Sequence, residues 1–300
     1  MLYGLPYKGS KNKIAKKIVD ILPKATHFYD LFCGGCAISH YAMTTGKYEH
    51  IHINDINPMC PQFFVDCLDG KYNNDDRWIS REDFFRLRDS DPIVAFVWSF
   101  GNNLRDYLYG RKIEPWKKAL HYLLYFRDAS LVRAFDYDME YISQIENIED
   151  RYAAIRSHLK STFRGKNELP NYCQHRRCVN MYAQRVSATI KGTKSCIGTS
   201  SCDYSDFTFE KDSIIYCDIP YKDTNCYGKD KFDYERFYEW CSLQEHPVFI
   251  SEYDMPADRF VAIAEINHTS SLWATSVKKT KERIFVPKHQ YNSELYENTR

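Results

Sequence analysis

Asp218-Ile219-Pro220-Tyr221 closes the apolar run Ser213-Ile214-Ile215-Tyr216-Cys217. A β-branched run that stops at a carboxylate, a proline and a tyrosine is how a parallel strand carries polar chemistry to its carboxyl end. In an open α/β sheet that end is where ligands bind. An acidic acceptor beside an aromatic ring suits a planar base with an exocyclic amine. In isolation, Asp218 reads more readily as a helix N-cap and Tyr221 as an ordinary half-buried tyrosine; the surrounding constellation reverses that.

A second group of residues suits a cofactor. Asp30-Leu31-Phe32-Cys33-Gly34-Gly35-Cys36 sets two adjacent glycines directly after a strand-like run, and glycine there admits close backbone approach. Asp55 follows Asp30 by 25 residues, at the end of the next strand-like run. A carboxylate in that place accepts hydrogen bonds from the hydroxyls of an adenosine ribose. The G-x-G-x-x-G phosphate turn of dinucleotide sites is missing, which weighs against a nicotinamide oxidoreductase. A nucleoside cofactor without phosphates fits better, and S-adenosylmethionine is the obvious one.

The elements that must hold these residues lie at both chain ends. Strands are predicted at 27–32, 50–55, 213–218, 247–253, 272–277 and 283–286, with helices at 11–22, 37–45, 233–244 and 256–266. Strand, glycine turn, helix and acid-ended strand make a βαβ unit. Between the ends, 80–90, 114–127, 129–146, 148–160 and 176–190 look helical, and Pro92–Phe100 is ambiguous. The expected fold is therefore α/β. One catalytic domain is built from 1–67 and 201–300, and 68–200 forms a helical insert.

Charge is nearly balanced, 41 basic against 40 acidic residues, so the net value names no partner. Its distribution is more telling. Residues 151–195 hold ten Lys and Arg against Glu168 alone, leaving the remainder acidic. Such segregation suits a phosphate-binding face, although a solvated helical face has the same composition. Tyrosine is abundant, 24 of 300 residues, and aromatics interleaved with Arg stack bases as well as fill cores. No apolar stretch of roughly 18 residues occurs and the chain is polar by residue 8, so neither a membrane span nor a signal peptide is expected. Eleven scattered cysteines suit a cytosolic chain better than a disulfide framework. Cys33-Gly34-Gly35-Cys36 has redox spacing, and Cys173, His175, Cys178, Cys196 and Cys202 have loose zinc spacing. Both are minor readings, and no metal is expected.

Taken in order, these segments resemble the Dam-type, D12 class adenine-N6 DNA methyltransferases. Tyr7-Lys8-Gly9-Ser10-Lys11 is similar to the N-terminal aromatic-x-Gly-Gly-Lys segment. Asp30–Gly35 resembles the D-x-F-x-G-x-G loop, and Asn54-Asp55-Ile56-Asn57 the acidic strand end. Asp218–Tyr221 resembles D-P-P-Y, and Phe232-Asp233 the phenylalanine element beyond it. Across 68–200 the resemblance is confined to Ser99–Asn103 and Tyr109-Gly110. Tyr7 stands for a more usual tryptophan and Ile219 for a proline.

The resemblance implies a Rossmann-like methyltransferase sheet with a target-recognition insert. It implies S-adenosylmethionine held by Tyr7, Lys11, Asp30, Phe32, Gly34, Gly35, Asp55 and partly Asp218. It further implies double-stranded DNA as partner, an adenine flipped into the pocket of Asp218, Ile219, Pro220 and Tyr221, and a cytoplasmic location in a bacterial or phage-infected cell. The insert then faces DNA, with Arg164, Arg176 and Arg177 as the expected phosphate contacts. Arg105, Tyr107 and Tyr109 read equally as lining a DNA groove or as an exposed loop.

The chemistry follows from the substrate. Adenine N6 is a poor nucleophile because its lone pair is delocalised into the ring. Two acceptors on its hydrogens favour a pyramidal nitrogen and stabilise the positive charge that grows during attack on a sulfonium methyl. Asp218 supplies one acceptor. By the family resemblance the main-chain carbonyl of Ile219 supplies the other, and any residue has one. Stacking of the base on Tyr221 is worth roughly 1–3 kcal/mol. The alternatives are a cytosine-N4 or RNA methyltransferase, and a DNA-binding protein with a catalytically dead methyltransferase fold.

Overall fold

The structure, a computed structural model, describes residues 3–162, 195–221, 232–270 and 278–293. Residues 1–69 with 185–300 form one compact unit and 70–184 a second.

The first unit is built on a seven-stranded sheet. Its strands are β1 (His27–Asp30), β2 (His50–Asn54), β3 (Cys196–Ser200), β4 (Ser213–Cys217), β5 (Val248–Glu252), β6 (Phe260–Ser270) and β7 (Lys278–Pro287). Their order in space is β3-β2-β1-β4-β5-β7-β6. The first five are mutually parallel, and β7 runs antiparallel to both β5 and β6. β4 and β5 are buried throughout, as expected of apolar runs in a sheet covered on both faces. From β1 the chain proceeds to β2 and β3 on one side, then returns to β4 and β5 on the other. The loops after β1 and β4 therefore leave neighbouring strands that lead in opposite directions across the sheet, which is where an open sheet splays to admit a ligand. Asp30–Gly35 and Asp218–Tyr221 are those two loops.

Two elements depart from the sequence reading, each for a local reason. Of residues 256–266, expected as a helix, 256–259 lead into β6 and 260–266 belong to it. Phe260, Ile263 and Ala264 are buried, a spacing that imitates one helical face. A bulge between Ala262 and Ala264 creates it, because one extra residue shifts the inward-facing set by one position. β3 lies within the stretch assigned to the insert. It is an edge strand, largely exposed and interrupted by Gly198, so no apolar alternation marks it.

In the second unit the described regular elements are helical: Arg81–Leu87, Pro92–Val97, Glu114–His121, Ser130–Arg133, Glu140–Ser143 and Ile148–Thr162. Leu120, Leu123, Val132, Ile142, Ile155 and Leu159 are among its buried core. The single helix expected over 129–146 is two short ones. Between them Asp136 adopts a left-handed backbone (φ 60°), which a right-handed helix cannot contain. The helix expected at 176–190 and the strand expected at 272–277 lie outside the described residues.

Candidate active site

The loop after β1 is shaped by the N-terminal segment. Leu5 N–H donates to Gly35 O at 2.7 Å. A Cβ on Gly34, whose φ is +47°, would stand 2.9 Å from the Tyr7 ring, and one on Gly35 would stand 2.8 Å from Leu5 O. Both glycines are thus needed to seat Tyr7 and Leu5 against the loop. Asp55 ties the end of β2 to the same loop: Oδ2 accepts Gly34 N–H and Oδ1 accepts Asn57 N–H, each at 2.9 Å. The Cys60 thiol also donates to this carboxylate, which leaves it one lone pair for a ligand. Asp30 points inward, where its Oδ2 accepts the Ser39 hydroxyl at 2.5 Å and its buried Oδ1 has no hydrogen-bond partner among the described residues. Phe32 turns toward Tyr204, Phe232 and Phe237, an aromatic cluster that anchors the loop. Cys33 and Cys36 are buried, and burial pushes both thiols up, opposite to what a redox pair needs.

The loop after β4 carries the charge. Lys11 Nζ donates to Asp218 Oδ1 at 2.5 Å, with Lys11 6% exposed and Asp218 20%. The ammonium also lies 4.0 Å from Glu282 Oε1 and 4.5 Å from the centre of the Tyr221 ring. Tyr221 donates its hydroxyl to Glu282 Oε1 at 2.6 Å and packs against Tyr253 at 4.4 Å between ring centres. The Ile219 side chain is buried in the sheet core, and Pro220 O accepts the Tyr234 hydroxyl at 2.8 Å. These anchors hold the loop that proline would otherwise stiffen.

Burial pushes the Asp218 carboxyl up to about 6; Lys11 opposes the shift and Glu282 adds to it. Burial likewise pushes Asp30 up to about 7 and Glu252 to about 8. A carboxyl whose folded pKa stands above its unfolded value holds its proton more tightly in the native state. Its stabilising contribution is present at low pH and is lost as pH rises through the folded value. The protein should therefore melt higher at pH 6 than at pH 9, by at least ~2–4 °C, the equivalent of roughly 1 kcal/mol. Calorimetric scans at the two pH values check this; equal or inverted melting temperatures would contradict the burial of these three acids.

Sequence reasoning brought Lys11, Asp218 and Tyr221 to one place and missed Ser251, Glu252, Tyr253 and Glu282. The signal for the first three was present: Val248-Phe249-Ile250-Ser251-Glu252 repeats, on the next strand, the pattern of an apolar run ending in polar residues. Glu282 was left out because the expected strand began one residue later, at Arg283.

The expected DNA contacts fare unevenly. Tyr107 is not on a surface: it is buried, donates to Ile79 O at 2.8 Å and packs against Phe84 and Tyr109. Its ring is part of the core of the second unit. Arg105 is 76% exposed and paired with Asp106 at 3.2 Å. Within the basic stretch Arg151 is buried and donates to the carbonyls of Leu124, Ile145 and Glu146, so it satisfies carbonyls at the ends of two preceding helical segments instead of meeting solvent. Arg164, Arg176 and Arg177, like Cys173, His175 and Cys178, lie outside the described residues. No helix among the described residues is long and apolar enough to cross a membrane.

No curated protein matches the chain. A family model does, over residues 7–239, a span that takes in Lys11, Asp55 and Asp218 but ends before Glu252 and Glu282. With more than three-quarters of its length matched, the chain belongs to the D12 class N6 adenine-specific DNA methyltransferases, enzymes that transfer a methyl group to N6 of adenine in DNA.

Proposed function

We propose that the loops after β1, β2 and β4 form one S-adenosylmethionine and adenine site in a Rossmann-like methyltransferase unit. The observation that carries this is the Lys11–Asp218 pair: a carboxylate held at the carboxyl edge of the sheet, partly open to solvent, beside an aromatic ring. The surrounding donor set fits the cofactor. Asp218 and Glu282 flank one buried ammonium, Glu252 and Asp30 lie within electrostatic reach of Asp218, and Asp30 Oδ1, Glu252 Oε2 and Glu282 Oε2 have no hydrogen-bond partner among the described residues. A surplus of buried acid favours a cationic ligand.

When bound, S-adenosylmethionine supplies an electrophilic methyl group on a cationic sulfur. Tyr7 and the 33–35 backbone line one side of its site, and Asp55 accepts from the ribose with its remaining lone pair. Lys11 holds one oxygen of Asp218. The carboxylate's other lone pairs and the Ile219 carbonyl then accept the two N6 hydrogens of an adenine extruded from double-stranded DNA. Tyr221 and Tyr253 form the aromatic wall for that base. The second unit serves as the target-recognition insert, with Arg164, Arg176 and Arg177 on phosphates and exposed Arg105 in a groove.

Titration calorimetry with S-adenosylmethionine tests the cofactor half. Wild type should give saturable one-site heat, and Asp55→Asn should bind at least about tenfold more weakly, the loss of roughly one charged hydrogen bond. An Asp55→Asn variant with an unchanged circular dichroism spectrum and unchanged affinity would contradict the assignment. DNA retention by wild type with no heat would favour the dead fold.

A further inference from the structure

Glu282 is the sole acidic residue of β7, and it is 1% exposed on a strand whose neighbouring Lys281 is exposed. Burying a carboxylate in a sheet costs several kcal/mol unless partners compensate it, so an acid retained there has work that an apolar residue could not do. Topology explains how it reaches the site. β7 runs antiparallel beside β5, and Arg283 pairs with Glu252. The residue before Arg283 therefore lies just past the carboxyl end of β5, next to the loop that β4 delivers.

Three groups converge on one oxygen of this carboxylate. The Tyr221 and Ser251 hydroxyls donate to Oε1, each at 2.6 Å, and Lys11 Nζ stands 4.0 Å away. Without that acceptor, two buried hydroxyls lose a hydrogen bond. Tyr221, which also bonds Asp218, would then lose its tie to β7. The same ammonium that faces Glu282 is the one bonded to Asp218. Moving it would move the Asp218 carboxylate.

We propose that Glu282 is a positioning residue for methyl transfer, fixing the Tyr221 ring and the Lys11 ammonium so that Asp218 presents its carboxylate in one direction. This rests on the reading of Asp218 as the acceptor for the target amine. Glu282 touches neither substrate nor cofactor in this role. It acts through Tyr221 and Lys11, and misplacement of about 1 Å at such a distance is enough to cost roughly 10²-fold in rate.

The charge of Glu282 gives the test a signature that a structural role lacks. The charged and titratable groups facing this carboxylate are Lys11, Asp218, Tyr216, Tyr221, Glu252 and Tyr253. Glu282→Gln keeps an acceptor for both hydroxyls and removes the negative charge that opposes ionisation of Asp218. Single-turnover transfer from tritiated S-adenosylmethionine to duplex DNA, followed from pH 5 to 9, should show the acid limb of Glu282→Gln at lower pH than that of wild type. Glu282→Ala should be about tenfold to a hundredfold slower at the plateau, with DNA affinity within about twofold. Adding Tyr221→Phe to Glu282→Ala should cost less than the sum of the two single losses, because the Tyr221–Glu282 bond is counted in both.

An acid limb of Glu282→Gln superimposed on that of wild type, with additive rate losses in the double variant, would overturn the proposal. If Glu282→Ala does not fold, the Gln profile decides alone. Should wild type itself lack an acid limb, the reading of Asp218 fails; should only the Gln variant fail to shift, Glu282 alone is misassigned.

Discussion

Asp218→Ala is expected to abolish methyl transfer, with a loss of at least about 10²–10³-fold in single-turnover rate. The substitution removes the acceptor that stabilises positive charge on N6 as the nitrogen is alkylated. It also frees Lys11, whose buried ammonium is left with Glu282 at 4.0 Å in place of a bond at 2.5 Å. Ile219→Pro makes the control. The backbone carbonyl survives that change, so transfer should stay within about tenfold, or ~1.4 kcal/mol in barrier. The lost Ile219 side chain sits in the sheet core, and its removal should appear in melting temperature more than in rate. Rates measured on folded protein at saturating cofactor separate the two effects. If Ile219→Pro proved as damaging as Asp218→Ala, the backbone acceptor would be wrongly assigned.

Lys11→Met is expected to be damaging in a different way. It leaves Asp218 and Glu282 together without their shared cation, and breaking a buried pair by removing one partner costs about 3–5 kcal/mol. The Lys11 charge holds the Asp218 carboxyl down against burial, so its loss should raise that group further above its present value of about 6. Two consequences have definite signs. The acid limb of the rate profile moves to higher pH, because ionised Asp218 is needed. Stability of the variant, followed by chemical denaturation, recovers as pH falls and Asp218 takes up a proton. A variant as stable as wild type at pH 8, with an unmoved limb, would show that the pair at 2.5 Å carries little energy.

How much of this was legible depends on how local each cause is. Asp218 and the Asp30–Gly35 loop could be read because an apolar run and its polar terminus are consecutive in sequence. Lys11 could not be placed beside Asp218 by spacing, since 207 residues separate them; only the family resemblance brought it in. Glu282 meets Tyr221 across 61 residues and lies beyond the family match, so neither route reached it. β6 was misread because its bulge gives a strand the spacing of a helix, and β3 because an exposed edge needs no apolar pattern. Tyr107 looked like a groove residue beside Arg105. Its place in the aromatic core with Phe84 and Tyr109 depends on packing that composition does not reveal.

The central claim is that ionised Asp218 accepts from adenine N6 at a site built on the carboxyl edge of β4. The most direct measurement is the pH dependence of single-turnover methyl transfer by wild type and Asp218→Asn on unmethylated duplex DNA, with nucleoside analysis of the product. The expected results are N6-methyladenine, a wild-type rate that rises through a pKa near the value of about 6 set by burial, and a slow Asp218→Asn reaction without that limb. An Asp218→Asn enzyme that keeps both the wild-type rate and the limb would contradict it.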